Sequence, residues 1–139
     1  MAIRIGYRQP QAGGQGFART KKVFGGPVVT LVAADVILNA QCAIARVPKG
    51  FVLQSYSLVL GDCDTGATLA LKLGDAGDDD RIMAASTTGQ AGGTVNTLAA
   101  AGTNYEYTED TDILLTASTA AVALGPTPTA LLTMEGYMK

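Results

Sequence analysis

Chemistry in this chain has to be built from carboxylates, a few cations, five Tyr and two Cys, because the sequence contains no His and no Trp. Losing His removes most general bases near neutral pH, the usual nucleophile triads and most zinc sites. Two close carboxylate pairs, Glu106 with Glu109 and Asp110 with Asp112, have the composition of a hydrolytic couple. Such a couple needs its carboxyls about 5–10 Å apart in a cleft that shifts one pKa. These pairs lie in a polar strand–loop segment of a chain too small to add a deep groove. The cluster Asp75, Asp78, Asp79 and Asp80 has the carboxylate density that suits Ca²⁺. The D-x-D-x-D-G order is absent and no Glu follows, so a solvated acidic turn is expected. Asp62-Cys63-Asp64-Thr65-Gly66 reads as a hairpin connection, since Asp and Gly favour turns for backbone reasons. That reading leaves Cys63 exposed at the tip. Gly13-Gly14-Gln15-Gly16 lacks the strand-then-helix context of a phosphate loop. No catalytic, cofactor-binding or metal-binding residue is assigned, and an enzyme is not expected.

Cys42 and Cys63 are too few for a disulfide scaffold and cannot complete a Cys/His zinc site. Free thiols in or near strands are expected. A bond between them, or between subunits, stays open in an oxidising setting, which makes both candidate crosslink residues. The tyrosines (Tyr7, Tyr56, Tyr105, Tyr107, Tyr137) are dispersed. Core packing and subunit contact suit them better than a sugar-stacking platform.

The elements that must hold these groups are strands. The chain has 139 residues, 47% of them apolar and 16% charged, which fits one domain with a sizeable core. Phe51–Leu60 is the clearest strand, with Phe51, Leu53, Ser55, Ser57 and Val59 on one face and Val52, Gln54, Tyr56, Leu58 and Leu60 on the other. Pro48-Lys49-Gly50 is a turn before it. Ala67–Leu73, Arg81–Ala84, Thr111–Ala117 and Thr129–Met138 read as further strands, and Gly74–Asp80 as a loop. The β-branched run Pro27–Ala34, then Val36–Leu38 and Gln41–Val47, supplies the first strands of the body. About eight short strands with turn signals between them predict an all-β fold, an antiparallel β-sandwich or jelly roll.

Charge divides the chain. Residues 1–34 carry five basic residues and no acid, +5, whereas residues 35–139 carry five basic and twelve acidic residues, −7, for a net −2. Residues 9–22 hold Gly, Gln and Pro and cannot pack a core. The organisation expected is an extended basic N-terminal arm over 1–25 and a sandwich body over 26–139, with strand patterning starting near Lys22 or Val23. Ile3, Ile5 and Tyr7 alternate with Arg4, Gly6 and Arg8 like an edge strand. Charge alone leaves two readings of this segment, an arm that meets an acidic surface and a solvated tail, and disfavours nucleic acid, because its cations are sparse and Tyr7, Phe17 and Phe24 form no stacking array. No signal peptide and no membrane span are read, so synthesis in the cytoplasm is expected.

Val47–Gly50 (VPKG), Thr65–Arg81 and the terminal TPTALLTMEGYMK, in this order, resemble the small β-sandwich head proteins of tailed bacteriophages. The likeness spans roughly residues 30–139, while the arm and the two Cys depart from it. The resemblance implies a decoration (cement) protein on the capsid exterior, often a homotrimer at local three-fold positions, with the major capsid protein as partner. On that reading Ile3, Ile5 and Tyr7 anchor the arm by strand addition, and Arg4, Arg8, Arg19, Lys21 and Lys22 pair with acidic capsid residues. Another virion subunit of the same body (spike, neck or tail) and a carbohydrate-binding module are the competing expectations.

Overall fold

The computed structural model describes residues 21–139. Nine strands run through them: β1 (Lys21–Gly25), β2 (Val29–Thr30), β3 (Gln41–Val47), β4 (Phe51–Leu60), β5 (Ala70–Asp75), β6 (Asp78–Ser86), β7 (Gly93–Val95), β8 (Thr111–Thr119) and β9 (Thr129–Met138). One sheet has the order β1-β9-β4-β7, with β2 also on β9, and the other has the order β3-β8-β5-β6. All paired strands are antiparallel. The fold is therefore the all-β sandwich that the spacing of strands and turns predicts.

Side-chain alternation explains how the two sheets share one core. In β9, Ala130, Leu132 and Met134 point inward and are buried, while Leu131, Thr133 and Glu135 between them are half-buried. In β8, Ile113, Leu115 and Ala117 do the same. Leu69, Leu71 and Leu73 lead into and along β5 and complete the facing layer. Period-two burial of this kind is what a half-covered sheet demands.

β4 departs from simple alternation. Its pairing with β9 shifts between Leu53 and Ser55, so Gln54 is an extra, exposed residue. This bulge switches the inward parity: Phe51 and Leu53 face the core before it, and Tyr56, Leu58 and Leu60 face it after. The expected pair of faces, constant along the strand, is corrected accordingly. Gly136 on β9 allows the close approach, because a Cβ there would meet the Val52 carbonyl oxygen.

Three further expectations are revised. Pro27–Ala34 and Val36–Leu38 are not long strands: only Val29–Thr30 pairs, and Ala33–Asp35 forms a 3-10 turn in which the Asp35 side chain accepts the Val32 N–H at 2.9 Å. β-branched residues favour strands only where a partner edge is offered, and β9 offers β2 two positions. Gly74–Asp80 is not a loop but a tight hairpin, since β5 runs to Asp75 and β6 starts at Asp78. Gly74 permits this, because a Cβ would strike the Asp78 carbonyl of the irregular β6. The boundary at 25/26 falls after a strand that belongs to the body. Residues 21–25 pair along β9, and Phe24 meets Phe51 edge-to-face at 4.9 Å.

Candidate functional site

At one end of the sandwich the β3–β4 turn, the β5–β6 turn and the segment 105–112 converge. The β3–β4 turn is held by the Phe51 N–H donating to Pro48 O at 3.3 Å, with Gly50 at φ 92°. A left-handed residue at that position favours Gly. The segment 105–110 is stitched to β4: Leu53 N–H donates to Tyr105 O, and Tyr107 N–H to Phe51 O, both at 2.9 Å. The result is a pocket of about 380 Å³ lined by Asp75, Arg81, Tyr105, Tyr107 and residues 108–112, among others.

Its fixed centre is an ion pair. Arg81 Nε donates to Asp75 Oδ2 at 2.7 Å, and Asp75 Oδ1 accepts the N–H groups of Gly77 and Asp78 at 2.9 and 3.0 Å. The guanidinium lies 3.8 Å over the Tyr105 ring, and the Asp75 bond pushes its pKa up further. Tyr107 packs edge-to-face on Tyr105 at 4.9 Å and stacks with Phe51. Burial, with the Asp75 charge adding, drives the Tyr107 phenol well above its ordinary range. The sequence reading missed this arrangement and placed Asp75 in a solvated turn. It is 5% exposed. No spacing signal announces it, since Arg81 reaches back across an irregular hairpin.

The remaining carboxylates are spread over separate partners. Glu106 bonds Lys139 at 3.0 Å, Asp112 bonds Arg46 at 2.7 Å, and Asp110 accepts the Lys49 N–H at 2.9 Å. The side-chain oxygens of Asp78, Asp79 and Asp80 come within 4.8 Å of one another. A hydrogen bond that the protonated Asp80 donates to the Asp78 carboxylate, with burial and the neighbouring acids adding, raises the Asp80 pKa. Lys72 meets Asp79 at 2.9 Å, so part of that charge is answered within the body.

Asp64 is structural. It is 2% exposed, and its two oxygens accept four backbone N–H groups, from Gly66, Val122, Thr68 and Leu69, each at 2.9 Å. Burial favours the neutral acid, but those four donors outweigh it and hold the carboxyl far below the usual range. The same loop corrects the reading of Cys63, which is fully buried instead of exposed at a tip. Its thiol is turned inward beside Gly61 O at 3.4 Å, and burial, then Asp62 and Asp64, push its pKa up to about 11. Cys42 is half-buried in β3, and both thiols are free.

Of the expected arm residues, Ile3, Arg4, Ile5, Tyr7, Arg8 and Arg19 lie outside the described residues. Lys21 bonds Glu135 across the β1–β9 pair at 2.7 Å and lowers the Glu135 pKa, and Lys22 is half-buried opposite Gly136. β1 is the outer strand of its sheet. At the opposite end, the β2–β3 connection exposes Val32, Ile37 and Leu38, each more than half accessible. Val122 lies on the β8–β9 connection, tied there by Ala121 N–H donating to Val36 O. The sequence reading hid this apolar end by assigning the run to strands. Arg81 occupies one face of Tyr105, and Tyr107 is buried.

Among the described residues no helix is long and apolar enough to cross a membrane. No family model and no curated protein matches this sequence. Solved structures do match. A chain of the Cyanophage Pam1 capsid asymmetric unit is 24% identical, with a TM-score of 0.72 and 99% of each chain covered. A chain of the capsid of Ralstonia phage GP4 is 19% identical, with a TM-score of 0.67, covering 96% of this chain and 92% of that one. A chain of the acid-stable capsid of Helicobacter pylori bacteriophage KHP30 is 11% identical, with a TM-score of 0.58, covering 87% and 90%. At these identities the likeness establishes a shared fold.

Proposed function

We propose that this chain is a structural protein of a bacteriophage virion, a capsid decoration (cement) protein that binds the outside of the head and stabilises the shell. The observation that carries the reading is end-to-end likeness: 99% of this chain and 99% of a chain from a phage capsid superpose as one fold. The same likeness, over most of both chains, recurs in two further phage capsids. The site chemistry agrees. Within each close carboxylate pair one member is tied to a cation, Glu106 to Lys139 and Asp112 to Arg46, and Asp110 accepts the Lys49 backbone N–H, which suits a rigid binding body better than acid–base work.

In this reading the partner is the major capsid protein, and the chain acts from the capsid exterior after synthesis in the host cytoplasm. Residues 1–20 form the arm, with Ile3, Ile5 and Tyr7 as strand-adding anchors and Arg4, Arg8 and Arg19 as cations for acidic partner residues. A homotrimer multiplies weak contacts into tight attachment. Binding only the assembled shell stabilises that state by mass action. A spike, neck or tail subunit differs in copy number, since a cement protein covers the whole head.

The test is cosedimentation with phage heads that lack the protein. The full chain is expected to pellet with the heads in hundreds of copies per particle and to raise their disruption temperature. A chain lacking residues 1–20 is expected to stay in the supernatant. Binding of the truncated chain equal to the full one would overturn the arm, and a handful of copies per particle would overturn the cement role.

A further inference from the structure

The end of the sandwich away from Arg81 displays apolar side chains on an ordered backbone. Val32, Ile37, Leu38 and Val122 are each more than half accessible, four of the seven large apolar side chains exposed among the described residues. Three connections are stitched together there. Ala121 N–H donates to Val36 O at 2.9 Å and joins the β8–β9 connection to the β2–β3 connection. Thr65 N–H donates to Ala123 O at 3.1 Å and joins it to the β4–β5 connection. Between these bonds the buried Asp64 carboxylate accepts the Val122 N–H at 2.9 Å. A surface ordered by folding loses little further entropy on binding. Together the four side chains expose roughly 400 Å². That is about half of the ~800 Å² that one partner buries in a standard interface, and the flanking loop surface supplies a rim.

Charge selects the occupant. Residues 21–139 hold twelve acidic and seven basic residues. The two connections that carry the four side chains, 31–40 and 120–128, hold one charged residue, Asp35, whose carboxylate accepts the Val32 N–H at 2.9 Å. The supporting β4–β5 connection adds Asp64, which is buried, and Asp62, which accepts the Asp64 N–H at 3.3 Å. The acids around Arg81 lie at the far end of strands such as β8, whose nine residues span about 30 Å. That is well beyond the Debye length of about 8 Å in physiological salt. Two copies of this acidic body repel where their charged ends face each other, and they meet with least repulsion at the apolar end. Each copy also brings an equal apolar area to the contact. A partner recognised through acidic side chains finds no lysine or arginine in these connections.

We propose that the apolar end is where copies of this chain join in solution, so that Val32, Ile37, Leu38 and Val122 are covered by the same end of a second copy. That three copies join rests on the homotrimer reading above. The contact itself rests on the exposure, the order and the charge of this end.

The test is sedimentation equilibrium of the full chain, with no heads present. Wild type is expected to exceed the monomer mass at about 0.1 mM. The variant Ile37→Lys, Val122→Lys is expected to sediment as a monomer, its association weakened about 100-fold or more. The two lysines bring the formal net charge from −2 to 0, so the loss does not come from stronger repulsion between whole bodies. The control Val23→Lys, Gln54→Lys makes the same change of charge at exposed positions of β1 and β4 and is expected to keep the wild-type mass. A second variant, Ile37→Glu, Val122→Glu, is expected to be monomeric alone and to associate when mixed with the first, since opposite charges then meet across the contact. Recovery on mixing also shows that both variants are folded. A wild type that stays monomeric, a lysine variant that keeps the wild-type mass, or a mixture that stays monomeric would overturn the proposal. A lysine variant that keeps that mass but no longer pellets with heads would overturn it too and give the end to the capsid partner. A wild type that associates through this end but does not bind heads would support the contact and overturn the cement reading.

Discussion

At the scale of single residues, Asp64 carries the largest concentrated burden. Four backbone N–H groups end on one buried carboxylate, and no other acceptor stands ready to replace it. Asp64→Ala is expected to cost about 3 kcal/mol, read as a lower urea midpoint with an unchanged slope. The same carboxyl predicts an acid limit. Its folded pKa is depressed below the ordinary 3.8, so its contribution is complete above about pH 5 and fades as the pH falls below that value. Wild type should lose stability in that window, and Asp64→Ala should lose less of it. The two thiols differ for a related reason. Cys63 is fully buried with its pKa pushed up to about 11, whereas Cys42 is only half-buried in β3. An alkylating reagent at pH 8 should label one thiol in the native protein and two in denaturant. Native labelling of both would contradict the burial of Cys63. An intersubunit crosslink, if one forms, therefore uses Cys42.

At the scale of elements, β1 ties residues 21–25 to the sheet. Its five residues add a full ladder to β9 and place Phe24 against Phe51. Removing residues 1–20 keeps the β1–β9 ladder and the Phe24–Phe51 contact, so the thermal midpoint should change little. Removing residues 1–25 strips the ladder and exposes the β9 edge and Phe51. That longer deletion should cost about 3 kcal/mol or more and promote association through the new edge. Equal midpoints for the two truncations would show that β1 contributes nothing to the sheet. Most elements were legible because their alternation is strong. Phe51–Leu60 and Thr129–Met138 have the bounds their pattern predicts. The failures share a cause. Pro27–Ala34 has strand-forming residues but only two positions of partner edge, and Asp78–Asp80 has turn-forming residues but pairs across an irregular hairpin. Pairing opportunity is a property of the assembled sheets, which local composition does not encode.

At the scale of the whole molecule, the proposed cement role predicts a symmetric assembly. Light scattering coupled to gel filtration should give about three times the 14.2 kDa chain mass, since a subunit at a three-fold position gains from matching symmetry. A monomer that becomes trimeric only on heads would move the assembly step to the shell surface. The apolar end with Val32, Ile37, Leu38 and Val122 is the surface such an assembly can cover. Sequence alone determined the fold class, because strand alternation and turn residues are local and repeat along the chain. It also determined the poverty in catalytic groups, since a missing His is missing in any fold, and the charge asymmetry between residues 1–34 and the rest. Tertiary structure alone decided the site. Asp75 and Arg81 lie in one hairpin, but Tyr105, Tyr107 and Glu109 come from the far side of a 3-10 turn, and Val52 holds that segment in place. Burial of a carboxylate, inward rotation of a thiol and the switch of faces at Gln54 all depend on which backbone comes alongside. Neighbours brought together by folding set dielectric, donors and charge, and these are absent from the linear order of residues.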